Sequence, residues 1–173
     1  MNIKLAILLL LPLSGFCQIK LEKITLLDDK VEIMAPKELT SMPDEMWSLK
    51  YRNKPRPALV LSDSTGEVNL LADMTDQHAA ESQMAAFKDF QLKQIKTKRT
   101  DATILSDGVK MINGKRVGYF KFISQASDQK IFNYFFFVIA NGKILLFTFN
   151  CIEKLQPVWE KSADEMLASL KVK

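Results

Sequence analysis

An α+β fold, arranged as an α/β/α sandwich round an antiparallel sheet, follows from three features of this 173-residue chain. First, Asn113-Gly114 and Asn141-Gly142 each stand between apolar runs. Asn-Gly supplies the two positive-φ residues of a tight primed turn, so both pairs mark β-hairpins. Second, the strands beside these turns are apolar on both faces. Ile131, Phe135, Phe137 and Ile139 alternate with Phe132, Tyr134, Phe136 and Val138, and Leu145, Phe147 and Phe149 alternate with Ile144 and Leu146. An antiparallel sheet with one wet face alternates apolar with polar residues, so this one must be covered on both sides. Third, two long segments carry apolar residues at helical spacing, one for each face.

Taken in order, the chain opens with a short basic stretch, Met1 to Lys4, and the apolar run Leu5–Leu13, broken by Ser14-Gly15 ahead of Phe16-Cys17. This is the pattern of a secretory signal peptide, and the run is too short to span a bilayer. Residues 1–17 are read as the leader and 18–173 as one domain, placing the protein in the periplasm or outside the cell. Cleavage after Cys17 leaves Gln18 as the new N-terminus. Cys17 could also be the acylated cysteine of a lipoprotein, against which the bulky Phe16 stands. Removal of the leader leaves Cys151 alone, so no intrachain disulfide forms, and a lone thiol at the end of an apolar strand is expected in the core.

Short strands are expected at Glu22–Leu27 and Val31–Met34, turning at Asp28-Asp29. Pro43-Asp44-Glu45 opens a short helical turn carrying Met46, Trp47 and Leu49. In the loop Tyr51–Pro57, the prolines at 55 and 57 hold Lys54 and Arg56 extended, so their side chains are expected to project outward. A hairpin follows, Leu59–Ser62 and Val68–Met74, with its turn at Ser64-Thr65-Gly66. Asp76 is then read as the cap of a helix from Gln77 to Lys98, with Ala80, Met84, Phe87 and Ile95 on one face and Phe90 flanking it. After a strand near Thr103–Leu105 comes the four-stranded meander Val109–Cys151, its middle turn at Ala126–Gln129. The last helix, Gln156–Leu170, carries the stripe Trp159, Ala163, Met166, Leu167 and Leu170.

The order of elements resembles the PsbP/Mog/DcrB-like superfamily. The resemblance rests on Val31–Pro36, the helix with Phe87, Ile112-Asn113-Gly114-Lys115 with Tyr119–Phe122, Phe135–Ile139, Asn141-Gly142, Leu145–Phe149, and the final helix with Trp159 and Leu167-Ala168-Ser169-Leu170. It implies a non-enzymatic binding or assembly factor, of a kind that is exported in several bacterial cases. The family shares no active site, so no functional residue carries over.

Composition and chemistry narrow the function further. A formal charge of +4 is spread among acids with no clustered arm, so nucleic acid is not implied. His78 is the only histidine, which excludes sites that need two or three. Asp76, His78 and Glu81 could touch a cation, but an N-cap, a solvated histidine and a dipole-favoured acid explain them. Ser62, Asp63, Ser64 and Thr65 read as turn residues. A Cys151–His78 pair would need an exposed thiol. No catalytic residue, metal or cofactor is expected.

The segment least explained by folding runs from Met46 to Pro57. It combines Trp47 and Tyr51 with Arg52, Lys54 and Arg56 on a stiffened loop. Trp, Tyr and Arg dominate interface hot spots, and a stiff loop loses less entropy on docking. These five are the candidate partner-binding residues. The expected function is protein–protein contact in the cell envelope with another envelope or secreted protein, without stable insertion into a membrane. Alternatives are an immunity protein that blocks a toxin, or a carrier of a small apolar ligand held in an apolar cavity between helix and sheet.

Overall fold

The computed structural model describes residues 19–173 apart from Asn53, so the expected leader, with Cys17 and Gln18, lies outside the described residues. The first two strands, β1 (Leu21–Leu26) and β2 (Val31–Pro36), form a hairpin, followed by the short β3 (Thr40–Ser41) and helix α1 (Asp44–Lys50). Next come β4 (Leu59–Ser62), β5 (Val68–His78) and helix α2 (Met84–Lys98). The meander is β6 (Thr103–Ile112), β7 (Lys115–Gln125), β8 (Lys130–Ala140) and β9 (Lys143–Ile152), and the chain closes with α3 (Gln156–Ser169) and β10 (Lys171–Val172). Both Asn-Gly turns adopt the expected geometry, with φ of 46° and 81° at Asn113 and Gly114 and 51° and 73° at Asn141 and Gly142.

These strands make two antiparallel sheets, a seven-stranded one in the order β3-β4-β5-β9-β8-β7-β6 and a three-stranded one in the order β1-β2-β10. Helix α2 carries the chain from β5 to the far edge, and the meander walks back until β9 pairs with β5. Both faces of the large sheet are covered, as the two-sided apolar strands require. On one face, Phe132, Tyr134, Phe136, Val138, Phe147 and Phe149 form a core with Ala163, Met166 and Leu167 of α3 and with Val31, Ile33 and Ala35 of β2. On the other face, α2 lays Met84 and Leu92 against Phe120, Phe122, Phe137 and Ile144. Helix α1 covers Val60 and Leu71 on that same face, through Met42 and Trp47. Phe136 is fully buried and Phe135, on the α2 side, half-buried.

The small sheet is an addition to the expected one-helix-per-face sandwich. A helix is about 10–12 Å across with its side chains. Seven strands about 4.8 Å apart are roughly three times as wide. Helix α3 alone therefore leaves apolar sheet uncovered, and β1-β2-β10 closes the remainder.

Three local expectations are corrected. The strand near Thr103 and the first meander strand are one continuous β6, with an irregularity between Ile104 and Ser106. Asp76 is not a helix cap: β5 continues to His78, which pairs with Lys143, and α2 begins only at Met84, after a 3-10 turn at Glu81–Gln83. Gln83 takes the capping role, its Oε1 accepting from the Ala80 N–H at 2.7 Å. The buried stripe of α2 is Met84, Lys88 and Leu92, with Ala80 exposed. Lys88 reaches its buried position because its ammonium meets Asp107 on β6 and Asp89 on its own helix.

Candidate functional site

Helix α1 is held down by Trp47, which is 8% exposed and stacks on Tyr51 with ring centroids 4.3 Å apart. The Trp47 indole donates to the Lys54 carbonyl at 3.4 Å, and the Lys54 N–H donates to the Tyr51 carbonyl at 3.0 Å. The loop after α1 is thus tied to the helix as well as stiffened by its prolines. Trp47, Tyr51, Arg52 and Lys54, four of the five sequence candidates, line one surface recess of about 280 Å³ together with Ser48.

Arg56 does not join them, and it does not project outward. Its guanidinium lies 5.7 Å over the Trp47 ring, pairs with Asp44 at 3.2 Å and donates to the Met42 carbonyl at 2.5 Å. Only 31% of its side chain is exposed. The proline rule constrains the backbone of Arg56, and its side chain is free to turn back to partners that lie 12 and 14 residues earlier. Arg56 is a brace for Trp47.

A larger groove, about 540 Å³, opens on the other side of Tyr51 and Lys54. One wall is Lys50, Tyr51 and Lys54, and the other is Arg99 at the end of α2 with Gln125 and Ala126 of the β7–β8 turn. Its floor is Ile131, Asn133, Asn150 and Ile152 of β8 and β9. The floor owes its polarity to a row of amides: Asn69, Asn150 and Asn133 are register partners across β5, β9 and β8. Asn69 Nδ2 donates to Asn150 Oδ1 at 2.9 Å and to the Gly66 carbonyl at 3.0 Å, and Asn133 Nδ2 donates to Ser124 Oγ at 3.0 Å. The Lys50 ammonium also donates to the Gly66 carbonyl. Its pKa is drawn down by loss of water around the charge, with Asp63 and Glu67 opposing. Burial raises the Tyr51 phenol, against a smaller opposing pull from a hydrogen bond to Asn150.

The far wall is fixed by a clasp. Arg99 donates to both oxygens of Asp101 at 3.0 and 2.9 Å and to the Gln125 carbonyl at 2.6 Å, while Asp101 accepts the Gln125 N–H at 2.6 Å. Arg99, followed by this backbone N–H, holds the Asp101 carboxyl well below the usual carboxylate range. On the outer side of α1 a third groove, about 500 Å³, is lined by Pro43, Glu45, Met46, Leu49, Lys50, Thr65 and Gly66. Leu49 is 74% exposed beside it.

The residues considered for chemistry lie elsewhere. His78 is exposed, its Nδ1 3.2 Å from the Gly142 carbonyl; Asp76 pairs with Lys143 at 3.2 Å, and Glu81 accepts the Arg116 N–H at 3.1 Å. Among the described residues, no group of three or more His, Cys, Asp or Glu side chains could hold a metal ion. Cys151 is fully buried and burial pushes its thiol up to about 12. It pairs with Val68, at the opposite end of β5 from His78, so thiol and imidazole do not meet. Asp63 organises the hairpin turn, accepting from Thr65 Oγ1 at 2.5 Å and from the Val68 N–H at 3.1 Å.

Sequence reasoning missed the amide row and one ion cluster around a buried lysine. The cluster is Lys121 of β7, whose ammonium meets Glu160 at 2.8 Å and Asp164 at 2.9 Å on α3, over the ring of Tyr134 at 4.7 Å. A lysine inside the run Tyr119–Ile123 and asparagines inside apolar strands are the signals that point to such positions. Which residues they meet depends on strand order, which no local pattern contains.

No protein-family model and no curated protein matches the chain. Solved structures do. Cyanobacterial PsbP (CyanoP) from Synechocystis sp. PCC 6803 superposes with a TM-score of 0.63 at 12% identity, covering 95% of this chain and 99% of that one. The two share one α+β fold. LpqN, involved in cell envelope biogenesis of Mycobacterium tuberculosis, matches with a TM-score of 0.57 at 9% identity over 89% of this chain and 91% of its own. The Ran-binding protein Mog1p of Saccharomyces cerevisiae matches with 0.56 at 10% identity over 90% and 96%. No helix among the described residues is long and apolar enough to cross a membrane.

Proposed function

We propose that this chain is an exported, non-enzymatic accessory protein that docks another envelope or secreted protein on the surface around α1 and its loop. The observation that carries the reading is the convergence of Trp47, Tyr51, Arg52 and Lys54 on one recess, flanked by two larger grooves that also touch α1. Three neighbouring recesses on one short, braced helix form a shaped surface of the kind that buried aromatic and arginine anchors use. Two matching folds belong to a Ran-binding protein and to a protein involved in cell envelope biogenesis, and the first of these is in keeping with a role through contact. Export rests on the basic and apolar leader at Met1–Leu13. The grooves described lie at the surface, so the apolar-carrier alternative has no supporting cavity between helix and sheet among them.

Affinity capture of the tagged mature chain from envelope extract, with mass spectrometry of both bait and catch, tests this. The expected result is a bait beginning at Gln18 without a lipid, holding one envelope or secreted protein in stoichiometric amount. A diacylglyceryl adduct on Cys17 would overturn the cleavage, and a bait that captures nothing above a blank resin would overturn the docking role.

A further inference from the structure

The large sheet ends differently at its two edges. One edge is the two-residue β3. The other is β6, ten residues long, with no strand among the described residues on its outer side. Three of the six large apolar side chains exposed among the described residues, Leu105, Val109 and Met111, lie on β6. A long apolar edge is a template for pairing with another chain, and free charges on the strand are a common guard against it. The two charges of β6 already have partners within the fold. The Asp107 carboxylate takes the Lys88 ammonium, and the Lys110 ammonium lies 4.8 Å over the Tyr119 ring. We infer that β6 pairs antiparallel with β6 of a second copy about a two-fold axis at Gly108, making a dimer with one continuous sheet.

The order of side chains along β6 selects this occupant. A two-fold contact sets one patch against itself, so residue i must suit residue j and residue j must suit i. With the axis at Gly108, Asp107 stands opposite Val109 of the other copy and Ser106 opposite Lys110, while Leu105, beside the irregularity, flanks Met111. No like charges are opposed, and the exposed apolar residues at the two ends cover each other. Opposed residues also share a face, because Asp107, Val109 and Met111 alternate with Ser106, Gly108 and Lys110. Other axes do worse. An axis at Asp107 or Lys110 sets two like charges face to face, and one at Val109 puts Asn113 opposite Leu105. At the axis itself the Tyr119 ring covers Gly108, where a Cβ would stand 3.1 Å from it, and this cover steadies the glycine for pairing. Helix α1 covers β4 and β5 near the other edge, so pairing at β6 leaves its surface free and sets two docking surfaces at opposite ends of the dimer. The inference goes beyond the docking reading and stands without it.

Sedimentation equilibrium of the mature chain, with amide hydrogen exchange at low and high protein concentration, tests the inference. The contact is short, so a monomer–dimer equilibrium with a Kd of roughly 1–100 μM is expected. In a lone chain the outward-facing amides of β6 exchange with water. Above the Kd, those between Ser106 and Met111 should gain protection. Val109→Lys sets two like charges beside the axis, and Met111→Glu removes the apolar cover of Leu105, so each should weaken dimerisation at least about ten-fold. Both side chains are exposed, so dilute samples of the variants should melt with the wild type. A chain that stays monomeric at about 1 mM would overturn the inference. So would a dimer that both variants leave intact, or one whose β6 amides stay unprotected. A monomer whose β6 amides are protected only by the captured partner would overturn it too, and would give this edge to that partner.

Discussion

Arg52 and Arg56 lie four residues apart, follow the same sequence logic and play different parts. Arg52 is exposed and lines the recess, while Arg56 folds back onto Trp47, Asp44 and the Met42 carbonyl. A cation over an aromatic ring contributes about 0.5–1 kcal/mol at a partly exposed site, and a charged hydrogen bond to a carbonyl adds a comparable amount. Arg56→Ala should therefore lower folding stability by about 1–2 kcal/mol, and Arg52→Ala by under about 0.5 kcal/mol. Denaturant melts of the two variants check the difference. Asp101 allows a second test at this scale. Its folded pKa is depressed below the ordinary 3.8, so the stabilisation it gives is present above that value and is lost as pH falls through the folded pKa. In an NMR titration the Asp101 carboxyl should stay ionised well below pH 3.8 in the wild type. In Arg99→Ala the midpoint should move up toward the ordinary value, and the Gln125 amide should shift with it.

At the scale of elements, what local chemistry dictates was legible and what distant pairing dictates was not. The two Asn-Gly hairpins, the double-sided β8 and β9, and the stripe of α3 all follow from φ preference or periodicity within a few residues. The start of α2 does not. Thr75 Oγ1 donates to the Ile144 carbonyl at 3.0 Å and His78 pairs with Lys143, so a strand nearly 70 residues away holds this stretch extended. Lys88 breaks the helix pattern for a similar reason, since Asp107 is supplied by β6. The unequal cover of the two faces predicts unequal costs. Phe136→Ala, fully buried against Phe147 and the α3 side, should cost roughly 3–5 kcal/mol, and the half-buried Phe135→Ala roughly half of that. Gly118 leaves room for side chains on the α2 side, because a Cβ there would stand 2.3 Å from Phe137 and 3.1 Å from Met84 Sδ. Gly118→Ala should lose about 1–3 kcal/mol by overpacking. Thermal and urea unfolding of these three variants checks both expectations.

For the whole molecule, the candidate site was half legible. The aromatic and basic residues between Trp47 and Lys54 stood out by composition, and four of them share a recess. The amide floor beside them did not, because Asn69, Asn133 and Asn150 come together only once β9 lies between β5 and β8. The second sheet was equally hidden, since nothing in Val31–Pro36 says that β10 will pair with it. The surface round α1 is thus a product of the topology: α1 and α2 cover the same face at a distance from each other, and the gap between them becomes the groove. Titration of the captured partner against wild-type chain and an Arg52→Ala/Lys54→Ala double variant tests its role most directly. Neither residue braces the fold, so the variant should melt with the wild type while its affinity falls by more than about 1 kcal/mol, roughly five-fold. Unchanged affinity in a folded double variant would contradict the docking role of this surface.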